Sequence, residues 1–201
     1  MSETIRTFIA VELPEKIISS ISKVQENIRS YGFKIRWVRP ESIHLTLKFL
    51  GNVKKADIEK VGEAIFESVK EYSPITLRAK GIGTFPGIKR PRVIWVGISG
   101  QLDLLVGLHK TLDEKLEAIG FPKENRSFRG HLTLGRVKAK IDPKRFGDAL
   151  NELAGFESES FVADRIILFK SELKPTGAVY TKLVEASLVN KYFCINNFCR
   201  C

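Results

Sequence analysis

The sequence predicts an α+β fold, with helices packed against antiparallel or mixed sheets. Three observations carry that reading. Strand-like and helix-like segments follow in the order β-α-β-β-α-β and then β-α-β-α-β-β, so adjacent strands recur without a helix between them. A hydrophobic fraction of 43% over 201 residues is enough for a buried core. The tetrapeptide His-Leu-Thr-Leu occurs twice, each time in a strand-like run. No Gly/Ser-rich or low-complexity linker divides the chain, so two lobes, if present, are packed tightly together.

The elements follow in order. Thr7 to Val11 is rich in β-forming residues and stops before Pro14. Glu15 to Ser30 places Ile17, Ile18, Ile21, Val24 and Ile28 at helical spacing, and Gly32 follows as a stop. Lys34 to Arg39 alternates and ends at Pro40, with Trp37 assigned to the core. Ile43 to Leu50 forms the next strand, and Ala56 to Val69 is a helix with Ile58, Val61, Ile65 and Val69 on one stripe. Ile75 to Ala79 and Val93 to Ile98 read as strands, separated by the glycine- and proline-punctuated Gly81–Pro91, which reads as a loop. Leu102 to Ile119 is a helix ended by Gly120, and Gly130 to Val137 is a strand. Pro143 to Leu153 is a helix entered through Asp142. Phe161 to Leu173 and Val179 to Leu188 are strands either side of a turn at Pro175-Thr176-Gly177.

Composition narrows the function. No apolar run approaches the roughly 20 residues of a spanning helix. The first residues, with Glu3, Arg6 and Glu12 among apolar neighbours, lack a secretory signal, so the expected compartment is the cytoplasm. The 33 basic residues exceed the 23 acidic ones by ten, which points to a polyanionic partner such as RNA, DNA or a phosphorylated metabolite. The excess concentrates at Lys34–Lys55, Arg78–Arg92 and Lys123–Arg145, the first and last of which hold the repeated tetrapeptides. The three cysteines, Cys194, Cys199 and Cys201, lie at the end of the chain and form no complete zinc-ligand set.

The repeat carries the chemistry. One copy is His44-Leu45-Thr46-Leu47 and the other His131-Leu132-Thr133-Leu134, using two of the three histidines. Side chains at i and i+2 of a strand share a face, about 7 Å apart. Each copy therefore offers an imidazole and a hydroxyl on one surface and two leucines on the other. Two such copies facing each other suit in-line displacement at phosphorus, with one histidine as base, the other as acid, and the threonine hydroxyls on the phosphate oxygens. The near-symmetry of the repeat does not decide which histidine is which. No metal or other cofactor is needed, and no cluster of Asp and Glu accompanies the histidines. The third histidine, His109, has no equivalent partner and reads as a surface or core-edge residue.

The neighbouring residues add weaker candidates. Arg129, at i−2 from His131, shares its face and is the cleaner geometric candidate for the phosphate, whereas Arg136 at i+5 points away unless Gly135 permits a bulge. Lys48 at i+4 continues the His44–Thr46 face. Phe85, in a basic segment, is placed to stack an RNA base, and Tyr180 is assigned to packing.

The paired His-x-Thr-x motifs resemble the signature of the 2H phosphoesterases. Arg36–Gly51, Gly81–Trp95 and Arg126–Val137 resemble the RNA 2′,3′-cyclic phosphodiesterase branch, also called 2′-5′ RNA ligase. The resemblance covers about Thr4 to Leu188. It implies a single bilobal catalytic domain over 1–188, with two pseudo-twofold-related lobes, a central cleft and helices outside, and a flexible tail over 189–201. It also implies opening of a terminal 2′,3′-cyclic phosphate on RNA, tRNA fragments included, to a 2′-phosphate. On this analogy His44 donates the proton, His131 accepts it, Thr46 and Thr133 hold the phosphate, and Arg136 lies near it. A monomer is expected. The reverse joining of RNA ends, RNA binding without turnover, and action on a small cyclic nucleotide are the competing readings.

Overall fold

The computed structural model describes residues 3–175 and 177–188. Its elements are β1 (Thr4–Glu12), α1 (Glu15–Ser30), β2 (Ile35–Trp37), β3 (His44–Lys54), α2 (Ile58–Val69), β4 (Ile75–Phe85), β5 (Val93–Gly100), α3 (Leu102–Glu117), β6 (His131–Val137), α4 (Pro143–Asn151), β7 (Glu157–Ala163), β8 (Arg165–Lys174) and β9 (Gly177–Ser187). The strands join in the order β7-β4-β5-β6-β3-β1-β8-β9, with β2 added along β6. Every pairing is antiparallel. The α+β expectation holds.

The two halves of the sheet meet at one residue pair, Leu45 of β3 with Leu132 of β6. These are the first leucines of the two tetrapeptides. The halves also exchange strands. β4, from the first part of the chain, lies between β5 and β7, while β8 and β9, from the end of the chain, extend the half that holds β1 and β3.

The helices cover one face. Ile17, Ile21, Val24 and Ile28 of α1 share a buried cluster with Leu45, Leu47, Leu132 and Leu134, and with Leu105, Leu108, Leu112 and Leu116 of α3. Each such side chain contributes roughly 1.5–3 kcal/mol by leaving water. Helix α4 starts as its sequence dictates: Asp142 accepts from the Arg145 amide at 2.7 Å, with Pro143 in the first turn. The other face of the sheet carries a smaller cluster of Phe8, Ala10, Ile167 and Phe169, with Tyr180 against it. No helix among the described residues is long and apolar enough to cross a membrane.

Two expectations need correction. Phe161–Leu173 is not one strand: it divides between β7, at one edge of the sheet, and β8, in the other half between β1 and β9, with Asp164 between them in the chain. The patterns differ in kind, since β8 buries Ile166, Ile167, Leu168 and Phe169 in succession and so packs on both faces, unlike β7. Gly81–Phe85, expected as loop, continues strand β4, because Gly83 admits the Trp95 indole of β5, whose nearest atom would lie 2.3 Å from a Cβ there. The expected tail 189–201, with its three cysteines, lies outside the described residues.

Candidate active site

The seam between β3 and β6 puts the motifs together. An antiparallel register through Leu45 and Leu132 sets His44 level with Thr133, and Thr46 level with His131. Because both leucines are fully buried against the helices, the His and Thr side chains take the opposite face. Diagonal neighbours in such a ladder lie about 7–8 Å apart, a span that accommodates a phosphate between two imidazoles. A cleft of about 690 Å³ opens here, lined by His44, Thr46, Thr133 and Arg136 among others. His131 stands just beyond that lining, with its ring edge-on to Phe85 at 5.0 Å and 6.5 Å from Trp95.

Both histidines are oriented the same way. His44 Nδ1 is 2.8 Å from the Ser42 carbonyl, and His131 Nδ1 is 2.8 Å from the Arg129 carbonyl. A carbonyl only accepts, so each Nδ1 carries the hydrogen and each Nε2 is left for chemistry. Their surroundings differ. His44 stacks on Phe8 at 4.7 Å and meets the edge of Tyr180 at 5.3 Å. Burial pushes its pKa down to about 4, against a smaller upward pull from the Ser42 carbonyl.

The same irregularity shapes both motif strands. On β6 the pairing with β5 steps from Trp95–Thr133 to Ile94–Gly135, so Leu134 is an extra residue. On β3 the pairing with β1 steps from Ala10–Thr46 to Ile9–Lys48, so Leu47 is the extra residue. Each bulge turns the fourth residue after the histidine inward and the fifth outward. Arg136 therefore lines the cleft, as the Gly135 bulge allows. Lys48 does not: it is 4% exposed and its ammonium is paired with Asp113, away from the His44–Thr46 face, which overturns the alternation argument for it. Phe49 takes the outward place instead, 60% exposed at the lip of the cleft.

On α1, the Gln25 amide donates to the Leu134 carbonyl at the β6 bulge and to the Val38 carbonyl, both at 2.9 Å. Gly135 is needed beside it, since a Cβ there would meet Ile35 at 2.6 Å.

The other candidates separate. Arg129 precedes β6 in irregular backbone, so strand alternation does not apply to it. It is outside the cleft lining and contributes its carbonyl. Phe85 reaches the site through its contact with His131. Tyr180, expected only to pack, lines the cleft on the His44 side in the matching role.

Arg6 and Arg36 were not singled out by the sequence and also line the cleft. The signal for Arg6 was its i, i+2 spacing with Phe8 on β1. Arg36 and Arg136 face each other directly across β2 and β6. Like charges in that position repel. Arg39 lines the cleft as well, and among the described residues Arg6, Arg36 and Arg136 have no carboxylate partner, so cations converge on a cleft built for an anion. No group of three His, Cys, Asp or Glu side chains among the described residues is arranged to hold a metal ion.

A two-part antiparallel sheet, a His-x-Thr pair from each part and a cationic cleft between them define a two-histidine phosphoesterase. The sequence model of the family described as LigT-like phosphoesterase matches twice, over residues 11–95 and 96–180, and the chain belongs to that family. It is 39% identical over 180 residues to an RNA 2′,3′-cyclic phosphodiesterase of Methanocaldococcus jannaschii, covering 90% of this chain and 99% of that one. It is 34% identical over 180 residues to a protein of the same name from Thermotoga maritima, covering 90% and 94%. A solved structure from Thermus thermophilus superposes with a TM-score of 0.72 at 29% identity, over 91% of this chain and 97% of that one.

Proposed function

We propose that the chain is an RNA 2′,3′-cyclic phosphodiesterase that opens a terminal cyclic phosphate to a 2′-phosphate, with His44 and His131 as proton donor and acceptor and no metal ion. The observation that carries the reading is the pair of His-x-Thr motifs on the two strands joined at Leu45 and Leu132, each imidazole with its Nε2 free. The names and identities of the relatives support the substrate.

Water attacks phosphorus opposite the 3′ oxygen while His131 Nε2 takes its proton. The P–O3′ bond breaks and His44 Nε2 gives a proton to the departing oxygen. Thr46 and Thr133 donate to the non-bridging oxygens, and Arg36 and Arg136 hold their charge. Burial by itself favours the neutral form of His44 near pH 7. It becomes an acid when the phosphodiester brings a negative charge beside the ring and favours the imidazolium.

The test is product analysis on a short RNA ending in 2′,3′-cyclic phosphate, in EDTA. The expected product is the 2′-phosphate. His44→Ala and His131→Ala are each expected to lower kcat by roughly 10²–10⁴-fold. Full activity in either variant overturns the reading.

A further inference from the structure

The carbonyls that orient the two histidines are themselves held in different ways. Ser42 belongs to a hydrogen-bonded turn, its amide donating to the Arg39 carbonyl at 2.8 Å and the next amide to Pro40 at 3.0 Å. Arg129 has no such support: among the described residues, 122–130 form no backbone–backbone hydrogen bond. Side chains hold that segment instead. Lys48 Nζ donates to the Pro122 carbonyl at 2.7 Å and is ion-paired with Asp113, with side chains 3% and 9% exposed. The second Asp113 oxygen accepts from the Glu124 amide at 3.1 Å. His109, one turn before Asp113 on α3, stacks on Phe128 at 4.2 Å and hydrogen-bonds the Leu47 backbone at the β3 bulge. One buried polar group thus ties the first motif strand to the segment that ends at Arg129 and His131.

We propose that Lys48 and Asp113 are positioning residues for His131: their ion pair latches Pro122 and Glu124, and through that segment fixes the Arg129 carbonyl that sets the His131 tautomer. The catalytic part of this inference rests on the phosphodiesterase reading, whereas the latch itself does not. Stability alone gives little reason for the pair. Replacing a buried ion pair with apolar residues of similar volume is often neutral or stabilising, while a charge pair adds direction that apolar contact lacks.

The test is the double variant Lys48→Met/Asp113→Leu, which leaves no unpaired charge, with Asp113→Asn as a second, isosteric variant. Turnover and the nitrogen-15 NMR signatures of the histidine rings are measured, with thermal melting as the check on folding. The expected result is a fall in kcat of about tenfold from a displaced His131, with KM unchanged. His131 is expected to lose its pure Nδ1–H tautomer while His44 keeps it. The proposal is overturned if kcat and the His131 tautomer are unchanged in both variants, or if His44 is disturbed as much as His131. A wild-type protein that opens no cyclic phosphate defeats the functional reading instead, and the tautomer comparison still decides the latch.

Discussion

At the scale of single residues, His44 has the most sharply defined property. Its neutral form is favoured by burial, with the folded pKa near 4 and the unfolded value about 6.5. The unfolded chain therefore binds more protons between those values. The stability contributed by the neutral ring is complete above about pH 6.5 and is lost as pH falls through about 4. The urea midpoint of the wild type is expected to drop more between pH 7 and pH 4 than that of His44→Gln. Parallel pH dependences would remove the burial argument. The same burial makes His44 the histidine whose charge depends on what occupies the cleft.

At the scale of elements, the bulges decide which residues reach the site. Gly135 is the sensitive position, because a methyl there would press on Ile35 at 2.6 Å and on the Arg36 carbonyl at 3.3 Å. Gly135→Ala is expected to cost about 1–3 kcal/mol in urea unfolding and to weaken phosphate binding by moving Arg36 away from Arg136. An unchanged midpoint would mean β2 yields freely. This is also where the sequence was readable and where it was not. The helices, the motif strands and the four His and Thr side chains followed from periodicity and repetition. Lys48 was misplaced because strict alternation has no means of registering one extra residue, Leu47. The division of Phe161–Leu173 was hidden because two adjoining β-rich runs look like one. The cleft roles of Tyr180 and Arg6 do not show in the sequence because the residues with which they line it, His44 and Arg136, are distant along the chain.

At the scale of the whole molecule, the excess of ten positive charges has a focus. Arg6, Arg36 and Arg136 bring three cations to one cleft and leave their neutralisation to the ligand. With Arg36 and Arg136 on the cyclic phosphate and Arg6 on a second phosphate of the strand, raising salt from about 50 to 200 mM is expected to raise KM for an oligonucleotide by roughly 7-fold, since the logarithmic slope is about −0.7 per phosphate. Steady-state assays across that range check it, and a slope near zero would show that the arginines serve the fold rather than the substrate.

The paired bulges also bear on descent. Two strands can come to share His-x-Thr because chemistry demands it, and the surplus residue is a second likeness between them, in the backbone rather than in the motif. Here it falls at the third position after the histidine in both strands, Leu47 and Leu134. One family pattern also matches the chain twice in succession. A flaw copied at the same place is the mark of a common original. The two strands of the cleft share a motif, a surplus residue and a family pattern, as the duplication of one half would leave them, with an arginine at the outward position of one and a phenylalanine at that of the other.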